Sequence, residues 1–180
     1  MTGRLIAVVG PSGVGKDTVM EALCAVHPAL YLVRRVITRP ADAGGETFEG
    51  VTPDIFEQRR AAGAFVLSWG AHGLRYGVPI AVLDALAQGQ DAVVNLSRGV
   101  LPKAQALFDP FHVVWLTAPP QVRATRLAAR GRETTDQIAG RLTRQGDGVP
   151  DGVPVTLVRN DRPLADTVAE ITGAYFPVRP

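Results

Sequence analysis

The sequence predicts an α/β fold in which helices cover both faces of a parallel sheet. Apolar strand-like runs alternate with helical segments of roughly ten residues, which is the order of β–α–β units. The first apolar run, Leu5 to Val9, leads directly into a glycine-rich loop that carries a lysine. With 180 residues and 46% hydrophobic content, the chain can bury one substantial core. We therefore expect a single domain over residues 1–180.

In the N-terminal half, each element is predicted from its own pattern. Apolar residues at helical spacing predict a first helix that stops near Pro28, and Thr52 is a plausible N-cap for a later one. The segment 38–46 is polar and glycine-rich and is predicted to be an exposed loop, while Gly70 and Gly73 predict a turn. In chain order we expect strand 5–9, helix 18–26, strand 30–36, helix 53–62 and strand 65–69.

From residue 79 onward the alternation of helices and strands is regular. In chain order we expect helix 79–87, strand 91–96, helix 100–108, strand 111–116, helices 119–130 and 135–144, strand 153–158 and helix 164–175. Right-handed crossovers place the carboxyl ends of parallel strands at one edge of the sheet. We therefore expect the loops after the strands to lie close together at that edge.

The loop after the first strand matches the phosphate-binding P-loop, G-x-x-x-x-G-K-[ST], except that Asp17 replaces the hydroxyl residue. Glycines let backbone N–H groups point at phosphate oxygens, and the following helix adds its positive end. Lys16 is expected to reach the β- and γ-phosphates as a point charge. Asp17 is expected to bind Mg²⁺ directly or through water, with Thr18 as the adjacent alternative. The predicted nucleotide-binding residues of this loop are Gly10, Pro11, Ser12, Gly13, Val14, Gly15, Lys16, Asp17 and Thr18.

Arginines cluster in the C-terminal third of the chain. Arg123, Arg126 and Arg130 are three and four residues apart, so they project from one helix face. Arg132, Arg141 and Arg144 follow. Like charges on one face repel each other unless an anion lies among them, and beside a P-loop that anion is most simply the transferred phosphoryl group. A solvated helix face is the alternative for any single arginine. We predict that Lys16, Arg126 and Arg130 are catalytic.

Composition excludes several classes of protein. The formal net charge is only +2, with no long basic run and few aromatic residues, which disfavours a nucleic-acid partner. The one cysteine, Cys24, is predicted to be buried and cannot form a disulfide framework or a cysteine-based metal site. The chain has no signal-peptide layout and no apolar run of membrane-spanning length. We expect a cytoplasmic protein with small-molecule ligands and no membrane partner, and the oligomeric state stays open.

Taken together, the motifs resemble the guanylate kinase family of P-loop nucleoside monophosphate kinases. The resemblance extends over nearly the whole chain, through the P-loop, Thr38-Arg39, Tyr76-Gly77, Arg126-Leu127, Arg130-Gly131, and Val158 with Asn160 and Asp161. It implies ATP with Mg²⁺ as donor, an acceptor phosphate held by Arg39 and Tyr76, and Asn160 near the donor adenine. It also implies a three-layer P-loop sandwich with core segments 1–36, 79–119 and 146–180, an acceptor-binding region at 37–78 and a lid at 120–145.

Several departures from that family argue against guanine as part of the acceptor. Family members read guanine with an acidic residue before a Trp and a hydroxyl residue after Tyr-Gly, where this chain has Ser68 and Val78. The second arginine of the acceptor-phosphate segment falls at Asp42, a phosphate-binding tyrosine falls near Pro53, and a carboxylate after the central strand is replaced by the run 95–98. Unpaired polar edges on a bound guanine would cost ~1–3 kcal/mol each. Guanine selectivity is therefore disfavoured, although the phosphoryl-transfer residues are kept.

These departures resemble one subfamily, the ribose 1,5-bisphosphate phosphokinases of phosphonate breakdown. The matching runs are Val36 to Glu46, Leu67-Ser68-Trp69, His72-Gly73-Leu74, Tyr76-Gly77, Asn95-Leu96-Ser97-Arg98 and Gly15-Lys16-Asp17. The resemblance implies transfer of phosphate from ATP to ribose 1,5-bisphosphate, giving 5-phosphoribosyl 1-diphosphate. An acceptor with two phosphates and no base needs arginines and hydroxyls. The expected acceptor-binding residues are Arg39, Ser68, His72, Tyr76, Ser97 and Arg98, with Arg75 as a further candidate. A nucleoside monophosphate kinase and a non-catalytic guanylate-kinase-like binding module remain as alternatives.

Overall fold

The computed structural model describes residues 2–40, 47–129 and 152–177. The strands in these residues are β1 (Leu5–Val9), β2 (Tyr31–Leu32), β3 (Val36–Ile37), β4 (Glu49–Gly50), β5 (Phe65–Ala71), β6 (Leu74–Pro79), β7 (Ala92–Asn95), β8 (Phe111–Thr117) and β9 (Val155–Arg159). The helices are α1 (Lys16–Val26), α2 (Pro53–Ala61), α3 (Val82–Ala87), α4 (Leu101–Leu107), α5 (Pro120–Ala129) and α6 (Leu164–Tyr175).

The main sheet is parallel and has the strand order β2-β7-β1-β8-β9. Its central strand β1 is buried along its whole length, which explains why Leu5–Val9 is a continuous apolar run rather than an alternating one. One face packs on α1 and α6, and the other on α3 and α4. The predicted fold class, a three-layer α/β sandwich around a parallel sheet, is therefore confirmed.

A second, smaller sheet is inserted in the chain between β2 and α3. Its strand order is β4-β3-β6-β5, in which β3 pairs parallel with β4 and antiparallel with β6, and β5 and β6 form a hairpin. The hairpin turn consists of His72 at φ 54° and Gly73 at φ 73°. Two successive residues with positive φ match the right-handed twist of a two-stranded hairpin.

The structure differs from the sequence predictions in a few places. The predicted strand 30–36 is two short strands in different sheets, because the chain leaves the main sheet after Leu32 and starts the small one at Val36. Residues 74–79 form a strand that was not predicted. Cys24 is half-buried at the edge of the core, not fully buried.

The predicted helix 135–144 lies outside the described residues. Of the described helices, none combines the length and apolarity needed to cross a lipid bilayer.

Candidate active site

The P-loop connects β1 to α1 at the carboxyl edge of the main sheet, as expected for a parallel sheet. Gly13 has φ 80°, and a Cβ there would lie 2.8 Å from the carbonyl oxygen of Arg123 on α5. Gly15 is the N-cap of α1 with φ 91°, and a Cβ there would lie 2.8 Å from Nδ2 of Asn160. Only glycine fits both positions, since each needs a left-handed backbone and a close neighbour. The loop is therefore packed closely against α5 and against Asn160 at the end of β9.

Lys16, the first residue of α1, folds back over this loop. Its Nζ donates hydrogen bonds to the carbonyl oxygens of Gly10 at 3.0 Å and Pro11 at 3.4 Å. The ammonium group thus lies over the loop rather than pointing away from it. From there it can exchange carbonyl contacts for phosphate oxygens, which fits its predicted role.

The carbonyl of Val14, at the crest of the P-loop, receives two side-chain donors. Asn160 Nδ2 donates at 2.8 Å from the end of β9, and Arg126 Nη1 donates at 3.2 Å from α5. Asn160 is 4% exposed, and its Oδ1 accepts a hydrogen bond of 2.9 Å from Oγ1 of Thr167, which is fully buried. The structure thereby brings Arg126 and Asn160 to the loop. The expected adenine contact of Asn160 stays a prediction, and Arg130 lies outside the described residues.

Asp17 lies in the first turn of α1 and contacts the neighbouring strand β7. Its Oδ1 accepts a hydrogen bond of 2.9 Å from Nδ2 of Asn95, the last residue of that strand. Thr18 is exposed. Across the ranges that the structure describes, no three His, Cys, Asp or Glu side chains group as a metal site.

In the small sheet, an aromatic pair lies beside the end of β7. Trp69 and Tyr76 are cross-strand neighbours in the small sheet, and their rings stack at 5.2 Å between centroids. The guanidinium carbon of Arg35 lies 5.2 Å from the Tyr76 ring centroid and 6.0 Å from that of Trp69. Trp69 Nε1 donates to Ser97 Oγ at 3.0 Å, so this cluster joins the small sheet to the main one.

Two other arginines of the region also lie over aromatic rings. The guanidinium carbon of Arg98 is 5.7 Å from the centroid of Trp115 on β8, and that of Arg39 is 4.3 Å from the centroid of Phe48. A guanidinium stacked on a ring keeps the planar edge that binds phosphate oxygens in pairs. Ser97 and Arg98 follow β7 at the sheet edge that carries the P-loop, and Trp69 links Tyr76 to Ser97. Arg39 lies beside Phe48, next to the small sheet.

The structure places the remaining predicted acceptor residues less favourably. Ser68 pairs with Gly77, so strand alternation puts its side chain on the face of the small sheet opposite Trp69. His72 is exposed at the hairpin tip. Arg75 forms an ion pair of 2.5 Å with Glu57 of α2. The acceptor roles of all three rest on the resemblance alone.

Sequence reasoning missed Arg35 and Thr167, and it named Asn95 without giving it a role. Arg35 is only 5% exposed, and the signal that could have found it is a charged residue inside the apolar run 30–36. Thr167 lies in a helix pattern where a buried threonine carries no distinctive signal. Asn95 could have been found because it ends a buried strand beside the P-loop.

The side chains whose pKa values are shifted by their surroundings lie mostly away from this site. Burial raises the pKa of the Asp91 carboxyl, but hydrogen bonds and the charge of Arg4 outweigh it and leave the pKa lowered. Burial and the Arg4 charge lower the pKa of His112. These groups lie at the opposite end of the main sheet, where Arg4 and Asp91 form an ion pair of 2.6 Å. The ion pair joins the residue before β1 to the residue before β7.

Comparison with known proteins identifies the family. The family described as AAA domain matches residues 5–145. Ribose 1,5-bisphosphate phosphokinase PhnN of Ruegeria sp. (strain TM1040) is 46% identical over 170 residues, covering 93% of this chain and 89% of that protein. Its namesake from Agrobacterium fabrum (strain C58 / ATCC 33970) is 44% identical over 165 residues, covering 90% of each chain.

A solved structure shows the same fold at low sequence identity. Guanylate kinase from Anaplasma phagocytophilum superposes with a TM-score of 0.68 at 15% identity, over 99% of this chain and 98% of that one. At this identity the likeness concerns the fold alone, and the family follows from the sequence relatives. The chain belongs to the AAA-domain family and, by its relatives, to the ribose 1,5-bisphosphate phosphokinases.

Proposed function

We propose that this protein transfers the γ-phosphoryl group of ATP to ribose 1,5-bisphosphate, giving 5-phosphoribosyl 1-diphosphate and ADP in phosphonate catabolism. An oxygen of the acceptor's 1-phosphate attacks the γ-phosphorus, and the bond from that phosphorus to the β-phosphate oxygen breaks. The observation that carries the proposal is that a lysine-bearing P-loop follows β1, while an arginine–aromatic cluster is bonded to Ser97 at the end of the neighbouring strand β7. The names of the relatives support the same acceptor.

On the donor side, the P-loop binds ATP through its backbone and Lys16. The N–H groups of Gly13, Gly15 and Lys16 hold the β-phosphate, and Lys16 neutralises charge on the β- and γ-oxygens. Arg126 moves from the Val14 carbonyl to the transferred group, and Arg130, outside the described residues, acts with it. Because positioning and charge stabilisation supply most of the catalysis in phosphoryl transfer, these cations are the catalytic residues.

Mg²⁺ is proposed as the metal that accompanies ATP. The donor set fits it, because Asp17 supplies a carboxylate beside the loop and Mg²⁺ is usually bound by one or two carboxylates plus substrate phosphates. When bound, the ion neutralises charge on the β- and γ-phosphates. Asn160 is kept as a candidate contact to adenine, on resemblance alone.

On the acceptor side, the two phosphates of the sugar are proposed to lie among the arginines. Arg39 and Tyr76 hold one phosphate, and Arg98 and Ser97 hold the other. Arg35 adds a buried positive charge beside Tyr76. This chemistry suits a small bisphosphate without a base. Ser68 and His72 stay as candidate contacts.

We assign these roles to regions of one domain: the acceptor-binding region 37–78, the lid 120–145 and the core formed by the remainder. The proposed partners are two small molecules, ATP and the sugar bisphosphate. A cytoplasmic location is proposed from the nature of these substrates. No partner among nucleic acids or membranes is proposed.

A nucleoside monophosphate kinase is the second candidate, supported by the guanylate kinase fold. Two observations count against it. Val78, at the position where that family uses a hydroxyl to read the base, is fully buried in the core. Ser68, at the position of the acidic base-reading residue, is on the sheet face opposite Tyr76. A non-catalytic binding module is less supported, since it has no need of Lys16 over a P-loop.

The test is a coupled ADP-release assay with ATP and Mg²⁺, comparing ribose 1,5-bisphosphate with GMP, AMP and dTMP. We expect turnover on the sugar bisphosphate to exceed the others by at least about 100-fold, because a base would leave polar groups unpaired. Phosphoribosyl diphosphate is identified by its consumption in a phosphoribosyltransferase reaction. Faster turnover of GMP would favour the nucleoside monophosphate kinase, and turnover of none of the four acceptors would favour the non-catalytic binding module.

A further inference from the structure

The pair Asp17 and Asn95 differs from the metal-binding pair of most P-loop enzymes. In P-loop enzymes the metal is generally held by a Ser or Thr hydroxyl after the P-loop lysine and by an Asp from a neighbouring strand. Here the residue after Lys16 is the carboxylate, Asp17, and the strand residue is the amide, Asn95. β7 is the direct neighbour of β1, with Asn95 in register with Val8, two residues before the loop begins.

The usual pair and the pair in this protein carry the same net charge, but the carboxylate has moved from the strand to the P-loop helix. A hydroxyl and a carboxylate carry one negative charge together, and so do a carboxylate and an amide. The direction of the hydrogen bond is reversed as well. In the usual pair the loop hydroxyl can donate to the strand carboxylate, whereas here the strand amide of Asn95 donates to the loop carboxylate of Asp17 at 2.9 Å.

We propose that Asp17 and Asn95 are a transposed metal-binding pair, in which the carboxylate lies on the P-loop helix and the amide on the strand. Asp17 is the protein ligand toward the Mg²⁺ that accompanies the nucleotide, and Asn95 is a positioning residue that orients the carboxylate. The inference rests on the ATP and Mg²⁺ dependence of the proposed function, and it does not depend on the identity of the acceptor.

The location of each group supports this division of roles. Asp17 is in the first turn of α1, where the helix dipole stabilises a negative charge. Asn95 is 7% exposed at the end of a fully buried strand, so its amide is held in place by the sheet. Its hydrogen bond to Oδ1 of Asp17 restricts the orientation of that carboxylate. A single carboxylate with substrate phosphates is an ordinary ligand set for Mg²⁺.

The experiment measures Mn²⁺, as a substitute for Mg²⁺, bound to the complex of the enzyme with ADP, by electron paramagnetic resonance. Four proteins are compared: wild type, D17N, N95D and the double variant D17T/N95D. We expect D17N to raise the Mn²⁺ Kd by about 10- to 100-fold, because the carboxylate is lost. The double variant, which has the usual hydroxyl and carboxylate, is expected to return the Kd to within about threefold of wild type, since contacting residues couple.

Thermal unfolding in EDTA supplies a readout that needs neither metal nor catalysis. N95D places two carboxylates against each other, so we expect its Tm to fall below that of wild type and D17T/N95D to recover it. D17N is nearly isosteric and is expected to fold, so it tests the metal ligand even if N95D does not fold. D84N, an exposed change on α3 with the same loss of charge, is the control and is expected to bind Mn²⁺ like wild type.

Two results of the Mn²⁺ comparison overturn the proposal. One is D17N binding Mn²⁺ as tightly as wild type, which removes Asp17 as ligand. The other is a double variant that binds no better than D17N, which removes the pairing. Failure of ribose 1,5-bisphosphate as acceptor leaves these Mn²⁺ measurements intact, whereas failure of the wild type to bind ADP overturns both this inference and the proposed function.

Discussion

The proposed donor side and the proposed acceptor side of this molecule are held together by different kinds of contact. At the P-loop, side chains bond to backbone carbonyls, as Lys16 does to Gly10 and Asn160 does to Val14. In the acceptor region, guanidinium groups lie over aromatic rings, as Arg35 does over Tyr76. The donor phosphate is common to many enzymes, and a loop of fixed backbone geometry with one lysine is the usual way to bind it. An acceptor is particular to one enzyme, so its recognition depends on which side chains meet.

This comparison leads to four predictions. Changes on the donor side should affect ATP use whatever the acceptor, and changes on the acceptor side should leave ATP binding intact.

Lys16→Ala should have the largest effect. Removing the cation that stabilises the transferred charge is expected to lower kcat by about 100- to 1000-fold, with the fold kept. The measurement is ADP release at saturating substrates, with Tm as the check on folding. Lys103→Ala, an exposed lysine on α4, is the matched control and should retain wild-type kcat. Normal turnover by the Lys16 variant would remove this loop from the reaction.

Gly13→Ala should lower the free energy of unfolding, because the P-loop backbone at this position has no room for a Cβ. The added Cβ meets Arg123 O at 2.8 Å in a residue with φ 80°, whereas Gly63 has φ 73° and nothing within 4 Å of the same position. Gly63→Ala is expected to cost about 1 kcal/mol from the left-handed backbone alone. Gly13→Ala should cost at least about 2 kcal/mol more from the close contact. Urea unfolding of both variants measures the difference. Equal losses in the free energy of unfolding would mean that the loop shifts enough to relieve the close contact with Arg123.

Arg35→Lys should act on the acceptor alone. Lysine keeps the charge but loses the planar group that stacks on Trp69 and Tyr76. We expect the KM for ribose 1,5-bisphosphate to rise about tenfold, equivalent to ~1.4 kcal/mol, while the KM for ATP is unchanged. Arg34→Lys, the exposed neighbour, is the control. A matching rise in the KM for ATP would show that Arg35 acts on the whole fold.

Thr167→Val should have the smallest effect, on ATP alone. It removes the hydroxyl that donates to Asn160 Oδ1 and orients the amide bonded to Val14. The loss of one such buried hydrogen bond is worth ~1 kcal/mol, so the KM for ATP should rise about fivefold with the acceptor KM unchanged. Thr167→Ser should restore the ATP value because it keeps the hydroxyl. If Thr167→Ser does not restore the KM for ATP, then Thr167 acts through packing and not through its hydroxyl.

The donor side could be predicted from sequence because glycine and lysine at fixed spacing encode backbone geometry locally. The run from Leu5 to Thr18 predicted the strand, the loop and the helix, and the strands around them predicted the sheet. Val14 and Asn160 are 146 residues apart, and no local pattern specifies that they meet.

The acceptor side could be predicted only in part. Arg39 and Tyr76 were named from a resemblance, but the stack of Arg35 on Trp69 depends on three strands pairing in register. The same register decides that Ser68 is on the opposite face from Tyr76, because side chains alternate along a strand. The split of residues 30–36 between two sheets is also a tertiary effect, since nothing within that run stops a single strand.

The small sheet leaves and rejoins the main body through neighbouring strands. β3 and β6, which carry the chain in and out, are paired side by side at Val36 with Gly77 and Ile37 with Tyr76. An inserted segment whose ends lie together can be exchanged without stretching the sheet that hosts it. The architecture therefore offers an evolutionary route to new kinases: grafting a different acceptor segment between β2 and α3 changes what is phosphorylated while ATP use is inherited unchanged.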